Sequence, residues 1–458
     1  MSRSILLRTL SVIAVATALS PAALAKAKPA VIINGGGATS PQADYAGTND
    51  PNTGAPRSEF SYYNSVETKY QFGTYWGSGS GTGQQAFIQD DLTCDINKVT
   101  GANSGKCSNT PGGADTVHYG TSDTPLNSTQ IATWATSSFG QSAAADLIQI
   151  PSVGTGEAII VNDTNITANG QATFSDNDLC GIFSGLITDF SQITDSATAP
   201  AAGQFKFVYR SDSAGPTYII TEHLAAVCNA GNTKAGVTFS AVTTFASLFT
   251  SLGGISTVIP NSVGEALNSG VADYLAGLSN GAVPQAIGYT SPDWTSVTPN
   301  SPEVLSNGQP SPLLVAALKN GSSSFLPTTG NIVTALSHVT LGTNLTPPAN
   351  ATQGANPALW VPTVQVVSTG YPIVGYGTFD LPQCYANATI SKGVLVFLKA
   401  HYTSATYKGF QTDNALVPVN RSGAAKFLTA ITKNILANKN SWNTNIGNAT
   451  ACAGLAGR

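Results

Sequence analysis

The chain has 458 residues, of which 10% are charged and 42% are hydrophobic, and its formal net charge at pH 7 is −4. Nucleic-acid binding calls for a concentrated basic surface, so this mildly acidic chain is a poor candidate for that class of function. A chain of this length can bury a large core, and it predicts two or three domains.

The first 25 residues have the pattern of a secretory signal peptide. Arg3 and Arg8 form a basic start, residues 10–19 an apolar centre, and Ala23-Leu24-Ala25 a small-residue cleavage site. No later stretch approaches the roughly 20 apolar residues that a membrane-spanning helix needs. We therefore expect cleavage near Ala25, a periplasmic or secreted mature protein, and no insertion into a membrane.

A glycine-rich turn at residues 34–41 follows an apolar run at residues 31–33. Its glycines allow the backbone to approach a ligand closely. Thr39 and Ser40 offer hydroxyl and amide groups at a predicted helix start. The alternative is a plain strand-to-helix turn with Thr39 as the capping residue.

A second glycine-rich turn, residues 75–83, leads into a predicted helix at residues 84–92. It fails as a dinucleotide-binding fingerprint because Thr82 stands at the third glycine position, and it lacks the Gly-Lys-Ser/Thr of a P-loop. Ser80 is then either a helix cap or a ligand of an anion.

Six cysteines in an exported chain predict disulfide bonds. No Cys-x-x-Cys pair occurs, which disfavours a metal or redox role. None of the six lies near the predicted cleavage site, where a lipid anchor would need one. Neighbourhood in the sequence favours three bonds: Cys94 with Cys107, Cys180 with Cys228, and Cys384 with Cys452.

Asp123 lies in a polar segment, residues 117–126, that ends in Asp-Thr-Pro-Leu. A carboxylate can only accept a hydrogen bond, so it binds an oxyanion that still carries a proton. Phosphate meets that condition near neutral pH and sulfate does not. The alternative is a Ser-Asp-x-Pro turn without a ligand.

Strand-like and helix-like runs alternate along the chain, which predicts α/β layers with mainly parallel strands. Amphipathic helices are expected at residues 394–402 and 424–436, and surface loops at residues 48–57, 97–113 and 298–311. The strand-like runs are residues 146–150, 158–161, 205–209, 286–289 and 314–317.

Arg210 follows the strand-like run at residues 205–209 and precedes a helical pattern at residues 218–227. Backbone N–H groups and the positive end of the helix dipole would then face the same point as the guanidinium group. This arrangement is typical of a site for a small oxyanion. The alternative is a local ion pair between Arg210 and Asp212.

Four motifs, in this order, resemble those of the phosphate-binding proteins of bacterial phosphate ABC transporters, and above all the secreted DING proteins. They are Gly37-Ala38-Thr39-Ser40-Pro41, Gly77-Ser78-Gly79-Ser80-Gly81, Thr121-Ser122-Asp123-Thr124-Pro125-Leu126 and Arg210-Ser211-Asp212-Ser213-Ala214-Gly215. The resemblance implies an α/β, two-lobed, periplasmic-binding-protein-like (type II) fold with a hinge between the lobes. One lobe would comprise residues 26–159 plus 371–458, and the other residues 160–370.

The same resemblance implies a set of phosphate ligands and one departure from the family. The family has Ser-Gly-Thr where this chain has Ala214-Gly215-Pro216, so two hydroxyl groups and one N–H are missing, and Ser213 and Thr217 are the candidate replacements. Asp212 would orient the arginine. The predicted ligands are Thr39, Ser40, Ser80, Asp123, Arg210, Ser213, Gly215 and Thr217.

We therefore expect an exported, non-enzymatic protein that captures inorganic phosphate without a cofactor or metal, with a membrane phosphate ABC permease as a possible partner. A secreted phosphatase is the first alternative, because Asp212-Ser213-Ala214 resembles the nucleophile triplet of alkaline phosphatases. Such an enzyme needs grouped metal ligands, but the histidines are scattered along the chain. A surface interaction protein that has lost tight phosphate binding is the second alternative.

Overall fold

The computed structural model describes residues 30–47, 49–50, 53–99, 107, 116–163, 165–166, 171–193, 196, 198–278, 285–298, 303–311 and 313–458. The predicted signal peptide and cleavage site lie outside these residues, as do parts of the three predicted surface loops. Within the described ranges, no helix is long and apolar enough to cross a membrane.

The strands are β1 (Val31–Gly37), β2 (Tyr70–Trp76), β3 (Tyr119–Ser122), β4 (Leu147–Gly156), β5 (Ala158–Asn162), β6 (Thr173–Phe174), β7 (Lys206–Arg210), β8 (Ser262–Glu265), β9 (Ala286–Thr290), β10 (Ala317–Asn320), β11 (Ser323–Phe325), β12 (Val339–Leu341), β13 (Val366–Val367), β14 (Val374–Pro382) and β15 (Val417–Pro418).

The α-helices are α1 (Gln42–Ala46), α2 (Glu59–Val66), α3 (Ser80–Gln89), α4 (Thr93–Val99), α5 (Ser128–Thr136), α6 (Gln141–Ala144), α7 (Asp176–Ser184), α8 (Gly215–Val227), α9 (Ile255–Val258), α10 (Leu267–Leu275), α11 (Thr329–Ser337), α12 (Ala351–Gly354), α13 (Ala388–Thr403), α14 (Ala405–Asp413) and α15 (Ala425–Asn434). Short 3-10 helices are Phe190–Gln192, Phe245–Leu252, Pro292–Trp294, Pro357–Trp360 and Val419–Arg421.

The described chain has four sheets, and the two largest organise the fold. The six-stranded sheet has the order β15-β4-β14-β3-β1-β2, and the four-stranded sheet has the order β5-β9-β7-β8. The α/β class expected from the alternating pattern is confirmed. The largest buried cluster contains residues of both sheets, among them Ile33 and Phe72 of the first and Phe207 and Ile287 of the second.

The strands are less parallel than the alternation predicted. Strands β2 and β3 pair with β1 in parallel, as do β8 and β9 with β7. Strand β14, however, runs antiparallel to both β3 and β4, and β5 runs antiparallel to β9. The reason is topological: β14 inserts between two strands of the first sheet only after the chain has passed through the second.

The two sheets are joined where β4 ends and β5 begins, at Glu157. The returning segment lies beside this crossing, because the Glu157 amide donates to the Ile373 carbonyl at 3.1 Å. The Tyr371 hydroxyl donates to the Glu157 carbonyl at 2.6 Å. The lobe limits at residues 159/160 and 370/371 remain predictions, and this pair of crossing segments is where a hinge would lie.

The three predicted disulfide pairings are confirmed: Cys94–Cys107, Cys180–Cys228 and Cys384–Cys452. The second bond links α7 to the residue after α8. The third links the segment after β14 to the C-terminal segment. The cross-links therefore fasten the helical layers and the chain end to the sheets.

Candidate functional site

Arg210 is the last residue of β7, and its side chain has no exposed surface. Two parallel hydrogen bonds hold it to Asp212: Nε to Oδ1 at 2.8 Å and Nη2 to Oδ2 at 2.6 Å. Burial alone would lower the pKa of Arg210, but the neighbouring Asp212 carboxylate raises it above its ordinary value. The guanidinium group is therefore a fixed, buried positive charge.

The remaining nitrogen of the guanidinium group, Nη1, contacts one residue beside each of the two sheets. Nη1 donates to Thr39 Oγ1 at 3.3 Å, in the turn after β1, and to Asn268 Oδ1 at 2.6 Å, in α10. Neither Thr39 nor Asp212 caps a helix here; α1 begins later, after Pro41. The alternative role of Thr39 as a cap is thus wrong, and the ion pair with Asp212 coexists with the contact to Thr39.

Asp123 lies in the turn after β3 and is buried beside the start of α3. Ser80 Oγ accepts from the Asp123 amide at 3.0 Å and donates to Asp123 Oδ2 at 3.5 Å. Since Gly79 is the N-cap of α3 and no side chain caps it, the helix-cap alternative for Ser80 is wrong. The turn itself is closed by the Ser122 hydroxyl, which accepts from the Thr124 amide at 3.0 Å.

Two buried polar atoms of this region make no hydrogen bond of regular geometry within the described residues: Ser40 Oγ and Asp123 Oδ1. Burial raises the pKa of Asp123 to about 6, and the nearby Ser40, Arg210 and Ser80 only partly oppose that rise. At neutral pH the Asp123 carboxyl group is therefore largely ionised and able to accept a hydrogen bond. A ligand with both donor and acceptor oxygens would satisfy both atoms.

The turns of the two sheets meet closely at the glycines. The Gly81 amide donates to the Ser213 carbonyl at 3.1 Å. A Cβ atom on Gly215 would lie 2.4 Å from Asp123 Cβ and 2.5 Å from Ser80 Oγ. The structure therefore gathers Thr39, Ser40, Ser80 and Asp123 from the first sheet's turns against Arg210, Asp212 and Gly215 from the second.

The other two predicted ligands are engaged with protein groups. Ser213 Oγ, which is half-buried, donates to Thr243 Oγ1 at 2.8 Å. Thr217 Oγ1 and the Tyr289 hydroxyl are 2.7 Å apart. Tyr289 in turn accepts from the Arg210 amide at 3.1 Å, so Thr217 supports the backbone at the end of β7.

Sequence reasoning missed a second support of Arg210, which runs through three buried side chains. Asn268 Nδ2 donates to Ser291 Oγ at 2.6 Å, and Ser291 donates to Asp293 Oδ1. Asn268 precedes Ser291 by 23 residues. No local pattern marks them, since neither residue lies in a glycine-rich turn.

Among the described residues, no group of metal ligands of the kind an alkaline phosphatase needs surrounds Ser213. In the described part of the chain, each histidine forms a hydrogen bond with another residue. His118 contacts Asn34, His223 contacts Asp176, His338 contacts Thr334, and His401 contacts Glu59. The one cluster of potential metal ligands found among the described residues is Asp91, Cys94 and Cys107. Its two cysteines are bonded to each other.

Comparison with solved structures finds the same architecture. A crystal structure of a DING protein matches 93% of this chain and 99% of its own, with 29% identity and a TM-score of 0.69. PfluDING, described as a high affinity periplasmic phosphate-binding protein bound with phosphate, matches the same shares with 29% identity and a TM-score of 0.68. The predicted resemblance to DING-type phosphate-binding proteins is confirmed.

Curated relatives carry two different names. Alkaline phosphatase L of Pseudomonas aeruginosa (strain UCBPP-PA14) is 32% identical, over 96% of this chain and 97% of the relative. A phosphate-binding protein of an unknown prokaryotic organism is 34% identical, over 92% of this chain and 98% of the relative. The family model described as PBP superfamily domain matches residues 56–330. This chain therefore belongs to the PBP superfamily.

Proposed function

We propose that this protein is an exported solute-binding protein that captures inorganic phosphate between its two α/β units. The observation that carries the proposal is the pairing of a buried, charged Arg210 with a buried Asp123 whose Oδ1 makes no regular hydrogen bond to the described residues. The arginine supplies attraction for an anion. The carboxylate accepts a hydrogen bond from an O–H group that phosphate has and sulfate lacks.

The remaining ligand contacts follow from what lies around these two residues. Ser40 offers a buried hydroxyl group that makes no regular hydrogen bond within the described part of the chain. Gly215 begins α8, a helix of 13 residues, and its N–H group points out of the helix start where anions are favoured. Thr39 and Ser80 would share their hydroxyl groups between the ligand and their present partners.

The departure at Ala214 and Pro216 lowers the number of donors. Ser213 already bonds to Thr243, and Thr217 to Tyr289. To replace a missing hydroxyl group, either residue must give up its protein partner and bond to the ligand instead. A hydrogen bond to a charged group contributes about 1.5 to 3 kcal/mol. We therefore expect phosphate selectivity to survive this change better than affinity does.

Two finer points belong to the same proposal. Delivery of phosphate to a membrane ABC permease would explain a protein that binds its ligand between two units. A periplasmic or secreted location is supported by the three disulfide bonds, which persist in oxidising compartments. Neither the permease nor the cleavage site near Ala25 is needed for the ligand site itself.

Calorimetric titration of the refolded, phosphate-stripped mature protein tests the proposal. We expect binding of phosphate and none of sulfate at neutral pH. Arg210→Ala should lose binding, because the described site has no second cation. Arg57→Ala is the matched control, since Arg57 is exposed and paired with Asp50. Equal binding of phosphate and sulfate, or an Arg210→Ala variant that binds as the wild type does, would contradict the proposal.

A phosphatase is the second candidate, favoured by the name of the P. aeruginosa relatives and by the Asp212-Ser213-Ala214 triplet. Its test is hydrolysis of a chromogenic phosphate ester by two purified proteins, the wild type and Ser213→Ala. Activity that co-purifies with the wild type and disappears in Ser213→Ala would establish the enzyme. Equal rates for the two proteins would assign the activity to a contaminant.

A further inference from the structure

Glu157, at the crossing between β4 and β5, is a buried acid that the proposed phosphate site does not yet use. Its side chain has no exposed surface, and neither carboxyl oxygen has a hydrogen-bond partner within the described residues. Its backbone, in contrast, is fixed on both sides by Ile373 and Tyr371. Only the carboxyl group is left unsatisfied.

The carboxyl group lies at the candidate site. It interacts electrostatically with Asp123, Arg210 and Asp293. The strand register agrees, because Ala158 pairs with Thr290, which places Glu157 next to Ser291. Ser291 holds Asn268, the residue that accepts from Arg210 Nη1. Glu157 therefore borders the same buried space from the side of the crossing segments.

The charges around this space do not allow another ionised carboxylate. Arg210 is already matched by Asp212, and Asp123 and Asp293 add two further acidic groups. Burial, and then the charge of Asp123, raises the pKa of Glu157 well above its usual range, although Arg210 opposes the rise. A neutral carboxyl group has one O–H donor, which is what an oxyanion can bind.

We propose that Glu157 is a further ligand-binding residue that donates a hydrogen bond from its protonated carboxyl group to the captured oxyanion. This inference rests on the proposed function. Capture then requires one proton on Glu157, besides the proton on the ligand whose hydrogen bond Asp123 accepts. When the pH rises and Glu157 loses its proton, its carboxylate faces the negatively charged oxyanion. The affinity for the oxyanion then falls.

Comparison of the wild type with Glu157→Gln isolates this effect. The amide of glutamine keeps an N–H donor and cannot ionise, while Asp123, Asp212, Asp293, Arg210 and Tyr371 around it stay unchanged. The ratio of the two affinities also cancels the ionisation of phosphate itself. Phosphate affinity would be measured by calorimetry from about pH 5.5 to about pH 9, which lies above the ordinary pKa of a glutamate.

We expect the two proteins to bind equally at the acidic end. At the alkaline end the wild type should weaken relative to Glu157→Gln by about tenfold per pH unit, as for the loss of one proton. Glu222→Gln is the matched control: Glu222 is also buried, on α8, and burial raises its pKa to about 8. Its affinity should follow that of the wild type throughout.

Parallel pH profiles of the wild type and Glu157→Gln would overturn this inference alone. Absence of phosphate binding by the wild type at every pH would overturn the proposed function, and the inference with it. Should Glu157→Gln fold poorly, titration of the wild type in two buffers of different ionisation heat gives the protons taken up. An uptake of about one proton at alkaline pH beyond that of the ligand is expected, and no uptake would overturn the inference.

Discussion

Arg210 and Asp123 show how burial gives two ordinary side chains a restricted chemistry. The arginine is held in one orientation by Asp212, Asn268 and Thr39 together, so its charge needs no rearrangement to meet an anion. The aspartate has one oxygen bonded to Ser80, and its other oxygen makes no regular hydrogen bond to any residue that the structure describes. A ligand must therefore accept hydrogen bonds at the fixed position of the Arg210 guanidinium group and donate one at the fixed position of the Asp123 carboxylate.

At the residue scale, Asp123→Asn should weaken phosphate binding and permit binding of sulfate. The amide can donate to a fully ionised oxyanion, whereas the carboxylate repels it. Loss of one hydrogen bond to a charged group corresponds to about 10- to 100-fold in phosphate affinity. Calorimetry with both anions measures the change. Asp413→Asn, at an exposed position of α14, is the control and should leave both affinities unaltered.

Asp380 gives a prediction about stability. It lies on β14 without exposed surface, Oδ1 accepts from Gln149 Nε2 at 3.0 Å, and Oδ2 has no partner in the described structure. Burial raises the pKa of Asp380 to about 8, and Gln149 only partly opposes this. Because the folded state holds the proton more tightly, the stability that this group contributes is complete below its unfolded pKa and is lost as pH rises towards 8.

Asp380→Asn should therefore unfold with a higher free energy than the wild type at pH 8, by an amount on the order of a few kcal/mol. At about pH 4 the two proteins should be equally stable, since the unfolded-state pKa is about 3.9. Urea denaturation at both pH values measures this. The same pH dependence in both proteins would show that Asp380 is ionised in the folded state.

At the element scale, the start of α8 is shaped by its closeness to the turns of the first sheet. Gly215 brings backbone against Asp123 and Ser80, and the Gly81 amide bonds to the Ser213 carbonyl nearby. Pro216 follows at a position where its missing N–H does not interrupt the helix. Glycine turns and a helix start thus form the walls of one space.

Gly215→Ala should lower phosphate affinity by at least about tenfold while the protein remains folded. The added methyl group would meet Asp123 Cβ at 2.4 Å, so the two turns would have to separate. Gly330→Ala is the matched control, because a Cβ atom there, in the first turn of α11, has nothing within 4 Å. Calorimetry measures the phosphate affinity of the two variants, and far-UV circular dichroism checks that both are folded. Undiminished binding by Gly215→Ala would contradict the inference that Gly215 lines the phosphate site.

At the scale of the whole molecule, the chain end is tied back to the first sheet. Cys452 bonds to Cys384 across a sequence separation of 68, whereas Cys94 and Cys107 are separated by 13. A larger closed loop constrains the unfolded chain more strongly. The last disulfide should therefore contribute more to stability than the first.

Replacement of both Cys384 and Cys452 by serine should lower the free energy of unfolding by about 4 kcal/mol. The matched pair, Cys94→Ser with Cys107→Ser, should cost about 3 kcal/mol or less. Denaturant unfolding under oxidising conditions compares the two variants with the wild type. An equal or larger loss from the Cys94 pair would show that native packing, not loop length, sets the contribution.

Several features of the molecule could be predicted from the sequence because each is encoded over a short stretch. The strand-turn-helix motifs around Thr39, Ser80 and Arg210 consist of neighbouring residues, and the structure has a strand or a helix beside each of them. The cysteine pairing followed from neighbourhood in the chain. The helix predicted at residues 394–402 lies within α13, and the one predicted at residues 424–436 contains α15, which is shorter by one residue at its start and two at its end.

Other features were decided only by the tertiary structure, since they depend on residues far apart in the chain. Arg210 meets Asn268 across 58 residues and Thr39 across 171. The antiparallel insertion of β14 follows from the return of the chain from the second sheet. Sequence patterns report which local structure each stretch prefers, whereas the burial of Glu157 beside Asp123 and Arg210 exists only after both sheets have packed together.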